Sequence, residues 1–135
     1  MKLNPYIMFA GTAEEALNLY KEFLGAEVAG IQRFGEAPMP SPDDYKDKIM
    51  HSTLKFEDNI IMISDSMPGQ QVSNAGNVHL SLDFEDLGKM ERIFNKLAAG
   101  GKVTMPLNDT FWGAKFGMLT DKFGINWMFN AQLKK

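Results

Sequence analysis

Two histidines, no cysteine and a spread of carboxylates limit the chemistry open to this chain. Without a thiol there is no disulfide, thiolate metal site or cysteine nucleophile. Proton transfer or metal binding must fall on His51, His79 and acidic side chains. His79 belongs to an alternating run in which His79, Ser81 and Asp83 share one face and Val78, Leu80 and Leu82 the other. His51 alternates in the same way with Thr53 and Lys55, opposite Met50, Ser52, Leu54 and Phe56. In each run the apolar face should pack on a helix, which turns the histidine to the opposite side. The plainer use of either residue is a hydrogen-bonded or interface histidine. Asp65 follows the apolar run Ile60-Ile61-Met62-Ile63 and is a candidate general base, although strand-end aspartates more commonly cap local amides. The catalytic candidates are thus His51, Asp65 and His79.

Phe111 and Trp112 precede the small residues Gly113 and Ala114, a setting in which a large aromatic either plugs a core or walls a pocket. Ten methionines offer a soft, adaptable lining where they leave the core. Met8, Met62 and Met128 hold strand positions suited to that use.

The 135 residues make one compact unit with a real core. A net charge of −3 gives no basic footprint for nucleic acid. The longest aliphatic run, Ile60-Ile61-Met62-Ile63, is far short of the ~20 residues a membrane span needs. The opening residues lack a secretory signal pattern, so a cytoplasmic protein is expected.

Two helices must position these residues. Over 13–24 the apolar residues Ala13, Ala16, Leu17, Tyr20, Phe23 and Leu24 form one stripe, with Thr12 and Glu15 as a capping box and Gly25 as the stop. Over 87–98 the stripe recurs as Leu87, Met90, Phe94, Leu97 and Ala98, with Asp86 as N-cap and Gly100-Gly101 as the stop. Period-two runs predict strands over 3–9, 27–34, 49–56 and 60–65, and again over 77–84, 102–105, 115–120 and 125–130. An offset of 74 residues carries Tyr20 onto Phe94, Phe23 onto Leu97 and Pro5 onto His79, an internal repeat. The chain therefore reads as two βαβββ modules, 1–66 and 77–135, joined by a linker over 66–76. One helix cannot cover both faces of a module's sheet. The segment 35–48, with Pro38, Pro40 and Pro42, is a surface excursion or a flap over a site.

The paired modules, with Gly11-Thr12-Ala13-Glu14-Glu15-Ala16 running into Tyr20-Lys21-Glu22-Phe23-Leu24-Gly25, resemble the vicinal oxygen chelate (VOC) superfamily. That group includes glyoxalase I, extradiol dioxygenases, fosfomycin-resistance proteins and bleomycin-resistance proteins. Met50-His51-Ser52, Ile61-Met62-Ile63-Ser64-Asp65, Asp109-Thr110-Phe111-Trp112-Gly113-Ala114 and Asp121-Lys122-Phe123-Gly124-Ile125-Asn126-Trp127 resemble its PhnB-like branch. The resemblance implies an α+β fold, two paired βαβββ modules forming an open, cup-shaped mixed sheet with a pocket, in a homodimer. In metal-dependent members an ion is held from two strand positions in each module. By position these fall on Pro5, Met62, His79 and Met128, of which only His79 is an ordinary ligand.

The expectation is therefore a small-molecule pocket with no metal or other cofactor. Phe9, Met62, His79, Ser81, Trp112 and Met128 are its binding residues, and neither nucleic acid nor membrane is a partner. The alternative is a metal-assisted enzyme of glyoxalase, lyase or dioxygenase type acting on a small oxygenated substrate. It would use a divalent metal and His79 with His51 or Asp65. A methyltransferase, a label the PhnB-like branch carries, is less favoured because no glycine-rich strand-to-helix turn with a following acidic residue is present.

Overall fold

The structure, a computed structural model, describes residues 1–38, 40–73 and 76–133. Its two compact units are Met1–Ser73 and Asn74–Lys135. Unit 1 runs β1 (Tyr6–Phe9), α1 (Ala13–Leu24), β2 (Glu27–Arg33), β3 (Ile49–Phe56) and β4 (Asn59–Asp65). Unit 2 runs β5 (Leu80–Phe84), α2 (Leu87–Ala98), β6 (Lys102–Asp109), β7 (Ala114–Thr120) and β8 (Asn126–Gln132). The sheet orders are β1-β4-β3-β2 and β5-β8-β7-β6. In each, the first and last strands pair in parallel and the others antiparallel. These are the two βαβββ units expected from the repeat.

Both helices span the predicted residues, and each buries the centre of its stripe on its own sheet, although Leu87 at the start of α2 is exposed and Ile93 joins the buried side. Ala13, Ala16, Leu17 and Tyr20 are buried on α1, and Met90, Ile93, Phe94 and Leu97 on α2. Each large side chain so buried removes apolar surface worth roughly 1.5–3 kcal/mol. In unit 2 the Phe94 ring meets Phe129 edge-on at 5.0 Å, and Phe129 stacks on Phe84 at 5.6 Å. Gly117 makes room for this contact, since a Cβ there would lie 3.0 Å from the Phe94 ring and 2.8 Å from Leu107 Cδ2.

Some boundaries differ from expectation. β1 begins at Tyr6 and β5 at Leu80, so His79 precedes its strand. β6 continues through Pro106 to Asp109, with register shifts between Val103 and Met105 and between Met105 and Asn108. An edge strand with bulges tolerates proline because no neighbour needs its missing N–H. The 74-residue offset holds for the helices but not for the strands before them. Ile7 and Phe9 face α1 as Leu82 and Phe84 face α2, an offset of 75, because the link from strand to helix is one residue longer in unit 1. Pro5 and His79 are therefore not structural counterparts.

The expected Thr12–Glu15 capping box is replaced as well. Thr12 makes no side-chain cap hydrogen bond; instead Asp65 Oδ1 accepts from the amides of Gly11 and Ala13, each at 2.9 Å. Asp86 does cap α2 as expected, accepting from Lys89 N at 3.1 Å. Gly25 ends α1 at φ 62°, the left-handed conformation glycine adopts without strain.

The 35–48 excursion is pinned at its neck. Phe34 N donates to Lys48 O and Gly35 N to Lys46 O. Buried Phe34 meets Tyr45 edge-on at 5.0 Å, and the Tyr45 hydroxyl donates to Ser66 O. Arg33 forms a two-pronged pair with Glu14 at 3.0 and 2.9 Å and also donates to Asp47 O.

Candidate functional site

Each sheet has a face on its helix and a face without one, and alternation decides what the second presents. In unit 1, β1, β4 and β3 meet in register as Tyr6, Met62 and Thr53. Their row, with Met8 and Ser64 beside it and His51 and Gln32 paired next along, forms the helix-free face. Tyr6 reaches across β4 toward His51. The ring centroids are 5.9 Å apart, and the phenol oxygen lies 3.4 Å from His51 Nδ1, a long hydrogen-bond contact.

In unit 2 the corresponding row is Ser81, Met128, Met118 and Met105, one residue from each strand. Asp83, Asn130 and Phe116 follow it, with Asn130 Nδ2 3.4 Å from Asp83 Oδ1. Trp112 meets Phe116 edge-on at 6.0 Å, and Phe111 meets Trp112 at 5.0 Å. On the same face Thr120 donates to Asn126 Oδ1 at 2.7 Å, and Asn126 Nδ2 donates to Val78 O at 3.3 Å. Both faces combine thioether, aromatic and neutral polar groups.

Met62, Met128 and Ser81 therefore lie on helix-free faces, and His51 does too. His79 is half-buried just before β5, in step with Ser81 and Asp83. Trp112 is 55% and Phe111 97% exposed, so neither plugs a core. Phe9 departs from its expected binding role. It shares the helix face with Ile7 and Ile63 and is 4% exposed, which makes it a core residue.

Asp65 also departs from its candidate role as a base. It lies on the helix face, opposite His51, so these two candidates of unit 1 do not converge. It is buried, Oδ1 holds the Gly11 and Ala13 amides, and Oδ2 accepts from Ile49 N at 3.0 Å. These bonds join the start of α1, the start of β3 and the end of β4. In unit 2 the buried carboxylate is Asp121. Its Oδ1 accepts from Phe123 N and Ile125 N at 2.9 and 3.0 Å, and its Oδ2 from the Trp127 indole at 2.9 Å.

The charge perturbation that stands out lies away from both faces. The hydrogen bond from Arg33 holds the Glu14 carboxyl below its ordinary value, and the same bond raises the Arg33 guanidinium.

The metal implied by the resemblance does not fit these residues. The thioethers Met62 and Met128 stand where carboxylates would be needed, and thioethers are poor ligands for hard divalent ions; Pro5 offers no side-chain donor and is not the structural counterpart of His79. Among the described residues, no three His, Asp or Glu side chains of either unit gather as a metal cluster.

Tyr6 escaped the sequence reading. Its signal was present, since it alternates with Met8, itself a lining candidate, while Phe9 belongs to the opposite face. Met118 and Phe116 were likewise recoverable only through cross-strand register.

Three comparisons bear on the site. Residues 1–130 match the family model described as 3-demethylubiquinone-9 3-methyltransferase. Protein YjdN of Escherichia coli K12 is 37% identical over 141 residues, covering 97% of this chain and 95% of that protein. Among solved structures, protein PA1353 of Pseudomonas aeruginosa is 40% identical with a TM-score of 0.90, covering 99% of each chain. A Bacillus cereus protein described as a putative 3-demethylubiquinone-9 3-methyltransferase, PhnB protein, is 28% identical with a TM-score of 0.83, covering 97% of this chain and 99% of that one.

Proposed function

Since the chain belongs to this family, the PhnB-like branch of the VOC superfamily, we propose that it is a small-molecule-binding protein that holds its ligand without a metal ion. The observation that carries this reading is the pair Met62 and Met128, which put thioethers on the helix-free faces where metal-dependent relatives need hard donors. On the helix-free face of unit 2, a ligand with an apolar or aromatic body packs on Met128, Trp112 and Phe116, and Ser81 and Asn130 supply hydrogen bonds that orient it. The face of unit 1 offers the same kinds of group in Met62 and Thr53. His79 binds the ligand as a hydrogen-bonding partner.

Methyl transfer is not part of the proposal. Fold and family name do not fix a reaction, and the strand-to-helix links Ala10-Gly11-Thr12 and Glu85-Asp86 lack the glycine-rich cradle of a nucleotide site. The protein acts as a homodimer, in which a second copy covers strand edges left unpaired within each sheet. Light scattering at the monomer mass would contradict this.

The direct test follows Trp112 fluorescence across a panel of small metabolites, with and without chelator. Trp127 is fully buried, so a ligand-dependent change reports on the half-exposed Trp112. The expected result is saturable quenching that chelator leaves intact and that Trp112→Phe abolishes. Quenching lost with chelator and restored by one divalent ion would overturn the metal-free reading.

A further inference from the structure

On the helix-free face of sheet 1, Tyr6 and His51 combine a phenol and an imidazole with immediate neighbours that carry no charge. We propose that this pair recognises a carbonyl oxygen on a neutral small ligand, a refinement that rests on the small-molecule reading above. The Tyr6 hydroxyl lies 3.4 Å from His51 Nδ1, and in the proposed pair the phenol is the donor and that nitrogen the acceptor. The imidazole proton then sits on Nε2 and makes it a donor. A donor calls for an acceptor on the ligand.

The neighbouring side chains select which acceptor. Met62 and Thr53 lie in register with Tyr6, Met8 and Ser64 stand beside them, and Gln32 is paired with His51. None of these carries a charge. Arg33, which follows Gln32 on β2, is held by Glu14. At the other end of the β2–β3 pair Glu27 stands in register with Lys55, a carboxylate opposite an ammonium. A carboxylate or phosphate ligand would lack a counter-charge, whereas a ketone or amide needs only the donor and an apolar bed, supplied by Nε2–H and by the two thioethers with the Tyr6 ring.

The test uses isotope-labelled protein at mildly alkaline pH. Long-range proton–nitrogen correlation spectra should show His51 as the Nε2–H tautomer, relaxing toward a mixture in Tyr6→Phe. The Nδ1–H tautomer, or no change in Tyr6→Phe, overturns the pair. Titration with acetophenone should shift His51 Nε2, whereas ethylbenzene should not. Tyr6→Phe, checked for folding by circular dichroism, should weaken acetophenone about fivefold, as expected for one neutral hydrogen bond. Benzoate binding as tightly as acetophenone overturns the neutral-carbonyl class. Acetophenone that quenches Trp112 but leaves His51 unshifted overturns this site while leaving small-molecule binding intact. Absence of any response to acetophenone, while the metabolite panel quenches Trp112, likewise overturns only the carbonyl site.

Discussion

Asp65 in unit 1 and Asp121 in unit 2 are each 3% exposed and each accept from three N–H groups, yet they do different work. Asp65 reaches back from the end of β4 to hold the entry to α1 and the start of β3, because Thr12 gives that helix no side-chain cap. In unit 2 the helix is capped locally by Asp86. Asp121 is thereby left to close the turn between β7 and β8 and to fix the buried Trp127. One repeat thus meets the amides at a helix start with a tertiary contact and the other with a residue next to the helix in sequence. The start of α1 depends on its sheet being formed, whereas α2 brings its own cap.

Removing each carboxylate tests this contrast. Asp65→Asn places an amide donor against backbone donors and should cost unit 1 about 3 kcal/mol, since buried N–H groups lose their acceptor. Urea unfolding followed by circular dichroism would show it, and a loss under ~1 kcal/mol would contradict the tertiary cap. Asp121→Asn should cost somewhat less, about 2 kcal/mol, with most of the change seen at Trp127. Its emission should move to the red as the indole N–H loses its acceptor, and unchanged emission would argue against that bond.

The two caps sharpen the comparison further. Asp86→Ala should cost about 1 kcal/mol, whereas Thr12→Ala should cost less than ~0.5 kcal/mol, because Thr12 caps nothing. Equal losses in paired thermal melts would restore the capping box and erase the contrast.

The smallest effect belongs to unit 1. Arg33 holds the Glu14 carboxyl below its ordinary value of 4.5. A carboxyl depressed in the folded state adds stability above its unfolded value, and this is lost as pH falls through the folded value. The pair is largely exposed and should contribute about 0.5 kcal/mol, less in high salt. Glu14→Gln should therefore be slightly less stable than the parent near neutrality and indistinguishable in strong acid. A gap that persists in acid would assign the effect to packing rather than charge.

These particulars show why some of the molecule could be read from sequence and some could not. The helices were legible because their stripes, Asp86 and Gly25 are local signals. The strands were legible as alternation, which also turned His51 and Met62 away from the helix layer. The role of Asp65 was hidden because its partners Gly11, Ala13 and Ile49 lie 54, 52 and 16 residues away along the chain. Phe9 was misread for a related reason. The extra residue between β1 and α1 shifts the parity of that strand, and only the pairing of Phe9 with Asp65 reveals it. Tyr6 and His51, 45 residues apart, likewise needed the strand order.

The central claim is that this VOC-superfamily chain binds its ligand without a metal, and elemental analysis of protein purified without chelator tests it most directly. The account predicts zinc, manganese, nickel and iron well below one equivalent per chain, with no gain after incubation with each ion and desalting. One tightly held equivalent, lost in His79→Ala, would contradict it.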